Sequence, residues 1–214
     1  MLHNKSICIV GNADSLRGKK LGKVIDSHDK VVRINLCYTI NLEEDTGFKT
    51  TDWIINQSAI WNLDFLTGFF KHRLDELAPH GLRDVAFRTD PKHKDTSKSH
   101  HEYLIHNIVN RRFNLHFINV GNFVSEVFPE FSEVKSLNNP DIPAVPTTGF
   151  AMICKYIQQS ERISIAGFET GKSNTLDHYW PPKDDWTTKI IKANHDIRKE
   201  KEMIDSLPIT RLDG

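Results

Sequence analysis

Short apolar runs alternate with amphipathic stretches along this chain. Ile7-Cys8-Ile9-Val10 is the first run, and others fall near 30–34, 52–56, 84–88, 116–120 and 162–166. Each is too short for a helix and has the unbroken apolar character of a strand covered on both faces. Between them, helical periodicity near 18–25, 64–77, 99–110, 149–159 and 195–206 predicts helices. Strands alternating with helices imply parallel strands and right-handed crossovers, hence an α/β protein with a Rossmann-like, mostly parallel sheet flanked by helices. The pattern leaves strand order open. With no internal repeat and no low-complexity linker, 214 residues are expected to form a single domain, 1–214.

Two segments depart from the alternation. Residues 89–99 are polar throughout and read as a loop. Residues 169–186 carry Gly171, Pro181 and Pro182 without helical period, as a lid or binding loop would. That second segment also holds Trp180 and Trp186, which an ordinary solvated loop would not need.

Charge and cysteine usage narrow the function classes. Lysine plus arginine equal aspartate plus glutamate, 28 each, which argues against a general nucleic-acid binder. Lys19, Lys20 and Lys23 then read as a solvated helix face. No apolar run approaches the ~20 residues of a membrane span, and the start MLHNKSICIV lacks a signal-peptide core. A cytoplasmic protein without a transmembrane segment is therefore expected. Cys8, Cys37 and Cys154 are odd in number, and free buried thiols in a reducing compartment account for them. Cys8 and Cys154 sit in apolar segments that disfavour a thiolate, so neither reads as a nucleophile.

The chemistry-bearing positions lie at element boundaries. Gly11-Asn12 breaks the first apolar run where an open α/β sheet receives a ligand, and the second strand delivers Asn35 to the same edge after Arg33-Ile34. Two neutral amides suit a ligand rich in hydroxyls and ring nitrogens, such as a nucleoside; Asn12 could equally be there to tolerate a left-handed turn. The turn Gly11 to Gly18 is neither G-x-G-x-x-G nor a Walker loop. Pro146-Thr147-Thr148-Gly149-Phe150 opens an apolar-periodic helix, where a threonine cap exposes amides suited to an anion or simply stabilises the helix. His178-Tyr179-Trp180 lies in the aromatic loop. Asn194 fits an N-cap that would put His195 on the first turn of the last helix, where the dipole disfavours imidazolium. Glu200 would then lie ~140° around that helix from His195, placed to anchor the helix rather than orient the ring.

In their order and separation these segments resemble the four sialyl motifs of the eukaryotic-type sialyltransferases, glycosyltransferase family 29. The large motif corresponds to Val10-Gly11-Asn12 through Leu16-Arg17-Gly18, Asp26-Ser27-His28, Arg33-Ile34-Asn35 and Asp45 to Thr51. The small motif corresponds to Pro146 to Phe150 ending at Ala166-Gly167-Phe168, the third to His178-Tyr179-Trp180, and the very small one to His195-Asp196 with Glu200. The resemblance spans nearly the whole chain.

It implies a single catalytic domain of variant GT-A type, an inverting, metal-independent transferase needing no cofactor besides its substrates. The donor would be a CMP-activated nonulosonic acid, sialic acid or Kdo, and the acceptor a glycan or glycolipid; no nucleic-acid partner is implied. Gly11, Asn12, Asn35, Thr147, Thr148, Gly149, Gly167, Phe168, Tyr179 and Trp180 would line the donor site, with Arg33 and Glu200 supporting it. His178 would face the phosphate and His195 would deprotonate the acceptor. A glycolipid acceptor would make the protein peripheral to a membrane. Where the family's animal members carry a disulfide, Ile7 and Ser160 stand here, and Ala13 replaces a common serine. No D-x-D element is placed for a cation, Asp184-Asp185 being adjacent. Two other classes stay open: a CMP-binding module without transfer activity, and a zinc site built on His93, His100, His101 and His106, whose irregular spacing suits zinc poorly.

Overall fold

The computed structural model describes residues 5–56, 70–89, 112–137, 139–168 and 195–214. In chain order its main elements are β1 (Ile7–Val10), α1 (Gly22–Asp26), β2 (Lys30–Ile34), α2 (Glu43–Thr46), β3 (Asp52–Asn56), α3 (Lys71–Leu77), β4 (Asp84–Thr89), β5 (Asn114–Asn119), α4 (Val120–Val127), β6 (Lys135–Ser136), β7 (Asn139–Pro143), α5 (Thr148–Ile157), β8 (Ile163–Ala166), α6 (Ile197–Asp205) and β9 (Thr210–Arg211).

Seven strands form one sheet in the order β5-β4-β3-β2-β1-β8-β9, every pair parallel. Ile7 to Val10 stand opposite Lys30 to Arg33 on one side and Ile163 to Ala166 on the other, so β1 and β8 are buried throughout. That double burial is why both read as unbroken apolar runs. The α5 face bearing Phe150, Met152, Ile153 and Tyr156 packs with Ile9, Val32 and Ile54 into the largest core. A second core gathers Trp53, Phe70, Leu74, Leu77, Val85 and Phe87 against α3.

Several elements differ from the sequence-based expectation. α4 follows β5 without a loop, because Asn119 ends the strand and caps the helix by accepting from the Gly121 amide at 3.1 Å. β6 and β7 form an antiparallel pair in which β7 is exposed along its length. The last helix is capped by Asp196, not Asn194: Asp196 Oδ1 accepts from the Lys199 amide at 3.1 Å. His195 therefore precedes α6 instead of lying on its first turn. The expected helix near 99–110 and the loop near 89–99 fall, save residue 89, outside the described residues, as do the irregular segment, 169–186, and Asn194.

Candidate active site at the carboxyl edge of the sheet

The chain leaves β1 toward β2 but returns to the other flank of β1 as β8, so strand order reverses between β1 and β8. Ligands of open α/β sheets bind at such a point, beyond the strands' carboxyl ends. Here the two strand ends touch through their main chains. Gly11 N donates to the Ala166 carbonyl (2.7 Å) and Ala13 N to the Gly167 carbonyl (3.0 Å). A Cβ on Gly11 would run into the Gly167 carbonyl, and Gly167 holds φ +74°, so both positions require glycine. Asp213 Oδ2 closes the junction, accepting from Ser15 Oγ (2.5 Å) and Gly167 N (2.8 Å).

The small-motif helix is fitted onto this junction by the Phe168 ring. A Cβ on Gly149 would stand 2.6 Å from Phe168 Cε1 and 3.1 Å from Ile34 Cδ1, and one on Gly11 3.2 Å from Phe168 Cδ2. Gly11, Gly149 and Phe168 are thus one packing unit joining β1, β8 and the start of α5. Asn12 and Asn35 lie at the neighbouring ends of β1 and β2. Asn12 Nδ2 donates to the Ile34 carbonyl at 3.1 Å, and its backbone is not left-handed, which removes the turn-tolerance reading. Asn35 is the left-handed one, at φ +53°. Its Oδ1 accepts from the Asn56 amide (3.1 Å) and its carbonyl from Trp53 Nε1 (2.7 Å), so β3 fixes the amide's direction.

Thr147 is the N-cap of α5, its Oγ1 accepting from Phe150 N at 3.2 Å. Glu200 grips it from α6, accepting from Thr147 N (2.7 Å) and Thr147 Oγ1 (2.6 Å). Glu200 is only 3 % exposed. Burial pushes its carboxyl up to about 7, with the two Thr147 bonds and the Arg88 charge pulling it down and Asp196 adding to the rise. The motif carrying His195 is thereby clamped to the helix start that follows Pro146.

His195 is partly buried beside the same segment. Its Nδ1 donates to the Val145 carbonyl, and its own carbonyl accepts from Leu137 N (3.3 Å) in the β6–β7 hairpin. Since a carbonyl only accepts, Nδ1 carries the proton and the neutral ring keeps its lone pair on Nε2. Burial lowers the imidazole to about 4; the Val145 bond opposes this and the Arg88 charge reinforces it. The neutrality expected from a helix dipole thus arises from burial.

Arg33 lies fully buried on β2. Its Nη2 donates to the Thr46 carbonyl (2.8 Å) and Nε to Thr50 Oγ1 (3.1 Å) and the Lys49 carbonyl (3.2 Å), which pins the segment 46–50. Among the sequence candidates, Gly11, Asn12, Asn35, Thr147, Thr148, Gly149, Gly167, Phe168, His195 and Glu200 gather at one edge. His178, Tyr179 and Trp180 lie outside the described residues, as do His93, His100, His101 and His106. Cys8, Cys37 and Cys154 are free and buried, with burial pushing the thiols up to about 12, 11 and 12.

Sequence reasoning missed Arg88, 6 % exposed near the carboxyl end of β4, whose Nη1 donates to Thr148 Oγ1 at 3.3 Å. The available signal was a charge closing the apolar run Val85-Ala86-Phe87, which ordinarily marks a strand emerging into solvent.

Comparison with known proteins agrees with this arrangement. Residues 3–211 match the profile of glycosyltransferase family 29 (sialyltransferase). Human alpha-N-acetylgalactosaminide alpha-2,6-sialyltransferase 2 is 28 % identical over 210 residues, covering 90 % of this chain and 54 % of its own length. Rat CMP-N-acetylneuraminate-beta-1,4-galactoside alpha-2,3-sialyltransferase is 25 % identical over 241 residues, covering 99 % of this chain and 57 % of its own. The chain thus spans little more than half the length of these relatives. A crystal structure of a mammalian sialyltransferase has the same fold, with a TM-score of 0.64 at 18 % identity over 99 % of this chain and 70 % of that one.

Proposed function

The chain belongs to glycosyltransferase family 29, and from that premise we propose that it moves a sialic acid from a CMP-activated donor to a glycan hydroxyl by direct, inverting displacement, without a metal ion or cofactor. The observation that carries the reading is His195: its ring is held neutral, with Nδ1–H spent on Val145 and the lone pair on Nε2. A base in that state accepts a proton at neutral pH without first having to lose one.

In the proposed step the acceptor oxygen attacks the anomeric carbon from the face opposite CMP. Its proton passes to His195 Nε2, the bond from the anomeric carbon to the phosphate oxygen breaks, and CMP leaves with the electron pair. Asn12 and Asn35 hold the nucleotide at the ends of β1 and β2. The amides at the start of α5 face the anionic part of the donor, where the helix dipole favours negative charge by ~0.3–1 kcal/mol. The place of His178 in the third sialyl motif assigns it to the departing phosphate. The names of the relatives, among them a CMP-N-acetylneuraminate transferase, favour sialic acid over Kdo.

The test is CMP release and product formation from CMP-sialic acid with galactose- and N-acetylgalactosamine-terminated acceptors, with and without EDTA. Transfer undiminished by EDTA is expected. Tight CMP binding with neither transfer nor donor hydrolysis would make the protein a binding module instead.

A further inference from the structure

Arg88 stands on β4, with β3 and β2 between it and the β1–β8 junction, yet its guanidinium meets α5 at the residue beside the cap. The two consecutive threonines at the helix start are held by different elements: Thr147 by Glu200 of α6, Thr148 by Arg88 of β4 at 3.3 Å. A cation only 6 % exposed needs negative or dipolar partners, and Glu200 lies close enough to feel its charge. The same charge reaches the His195 ring.

We propose that Arg88 is a positioning residue of this site: it fixes the Thr148 hydroxyl at the mouth of α5 and places a permanent positive charge beside the Glu200–Thr147 clamp and the His195 imidazole. This deepens the proposed transferase reading and rests on it for its catalytic meaning.

The groups acting on the imidazole and the clamp come from each packed element. β4 supplies Arg88, α6 supplies Glu200 with Asp196 as its cap, and the segment before α5 supplies the Val145 carbonyl, while the Leu137 amide bonds only the His195 backbone carbonyl. Arginine stays protonated across any assay range, so its effect on His195 is constant. A like charge nearby makes protonation of the ring harder. Arg88 therefore adds to the burial that already keeps the base unprotonated, while its bond holds Thr148 at the helix start.

The experiment compares Arg88→Gln, Arg88→Lys and Thr148→Val in the full chain. The His195 titration is followed by NMR without substrate, as the imidazole resonance that His195→Gln abolishes, alongside the acid limb of kcat/KM. Arg88→Gln should raise the titration midpoint and move the acid limb with it. Arg88→Lys, which keeps the charge, should restore most of that shift. Thr148→Val, which removes the bond but not the charge, should lower turnover and leave the midpoint in place. A folded Arg88→Gln with an unmoved midpoint would overturn the proposal. If that variant does not fold, Arg88→Lys with a midpoint raised by a full unit, or Thr148→Val shifting it as far, would overturn it equally. Absence of sialic acid transfer in the wild type would defeat the functional reading, while the imidazole titration would still decide the role of Arg88.

Discussion

At the amino ends of the strands, Lys30, Asp52 and Tyr156 form a closed set. Asp52 Oδ1 accepts from Lys30 Nζ and from the Tyr156 hydroxyl, both at 2.9 Å, while Oδ2 accepts from Thr51 Oγ1 at 2.6 Å. Burial raises the Tyr156 phenol well above its ordinary range, so it keeps its proton and stays a donor. At the carboxyl ends, Thr147, Glu200, His195 and Arg88 are packed just as closely, but their titrations lie elsewhere. Glu200 sits at about 7 and His195 at about 4. At one edge a buried phenol keeps its proton; the other holds an acid within the neutral range beside a base kept empty. Burial does not separate the two edges, since Asp52 and Glu200 are 4 % and 3 % exposed. What separates them is that Asp52 lies against the Lys30 ammonium, while Glu200 is bonded to the uncharged Thr147. Groups displaced from their ordinary titration are the ones the proposed proton transfer would use.

The sharpest way to break this contrast is to remove the base. His195→Gln should lower turnover by ~10²–10⁴ while leaving the fold intact by circular dichroism. Near-normal transfer by that variant would remove His195 from its role.

Next in size is the pH dependence of stability. His195 titrates near 4 folded against 6.5 unfolded, so its contribution is present above pH 6.5 and lost as pH falls toward 4. Glu200 titrates near 7 folded against 4.5 unfolded, so its contribution is present below pH 4.5 and lost as pH rises through 7. Between pH 4.5 and 6.5 the two slopes, each up to about 1.4 kcal/mol per pH unit, oppose each other. Glu200→Gln should uncover a stability that rises with pH, and His195→Gln one that falls. Urea unfolding across that range reads both, and parallel curves for the two variants would contradict the assignment.

Gly149→Ala should cost about 1–3 kcal/mol, because the new methyl must displace the Phe168 ring or Ile34. It should also weaken CMP binding, which calorimetry would show. The smallest effect belongs to the other edge: Tyr156→Phe should cost about 1 kcal/mol of stability and leave turnover within error of wild type. A large loss of activity from Tyr156→Phe would erase the distinction between the edges.

Legibility followed the same division. Buried strands announced themselves because both faces are covered: the runs at 7–10, 30–34 and 52–56 are the observed β1, β2 and β3. The hairpin was hidden because β7 is exposed along its length and holds Pro140 and Pro143, which argue against a strand. The cap of α6 was misplaced because Asn194 and Asp196 are both good capping residues, and only the bond to Lys199 N distinguishes them. Arg33 and Arg88 make the closest pair. Arg88 closes its apolar run and Arg33 sits one residue before the end of its own, and both are buried, yet one holds carbonyls of a loop and the other a threonine of the site. Nothing local in either run encodes that difference; it comes from which helix each strand meets. The glycines and asparagines were legible because backbone contact and amide chemistry restrict those positions to a few residue types.

The central claim is that the β1–β8 junction, the Asn35 turn and the start of α5 form one CMP pocket. Backbone amide shifts recorded while CMP is titrated into the ¹⁵N-labelled protein test it most directly. Gly11, Asn12, Asn35, Thr147, Thr148, Gly149 and Gly167 should move together along a single saturating curve, with Lys30, Asp52 and Tyr156 unmoved. Saturating shifts confined to the amino edge, or split into two sets with different midpoints, would contradict it.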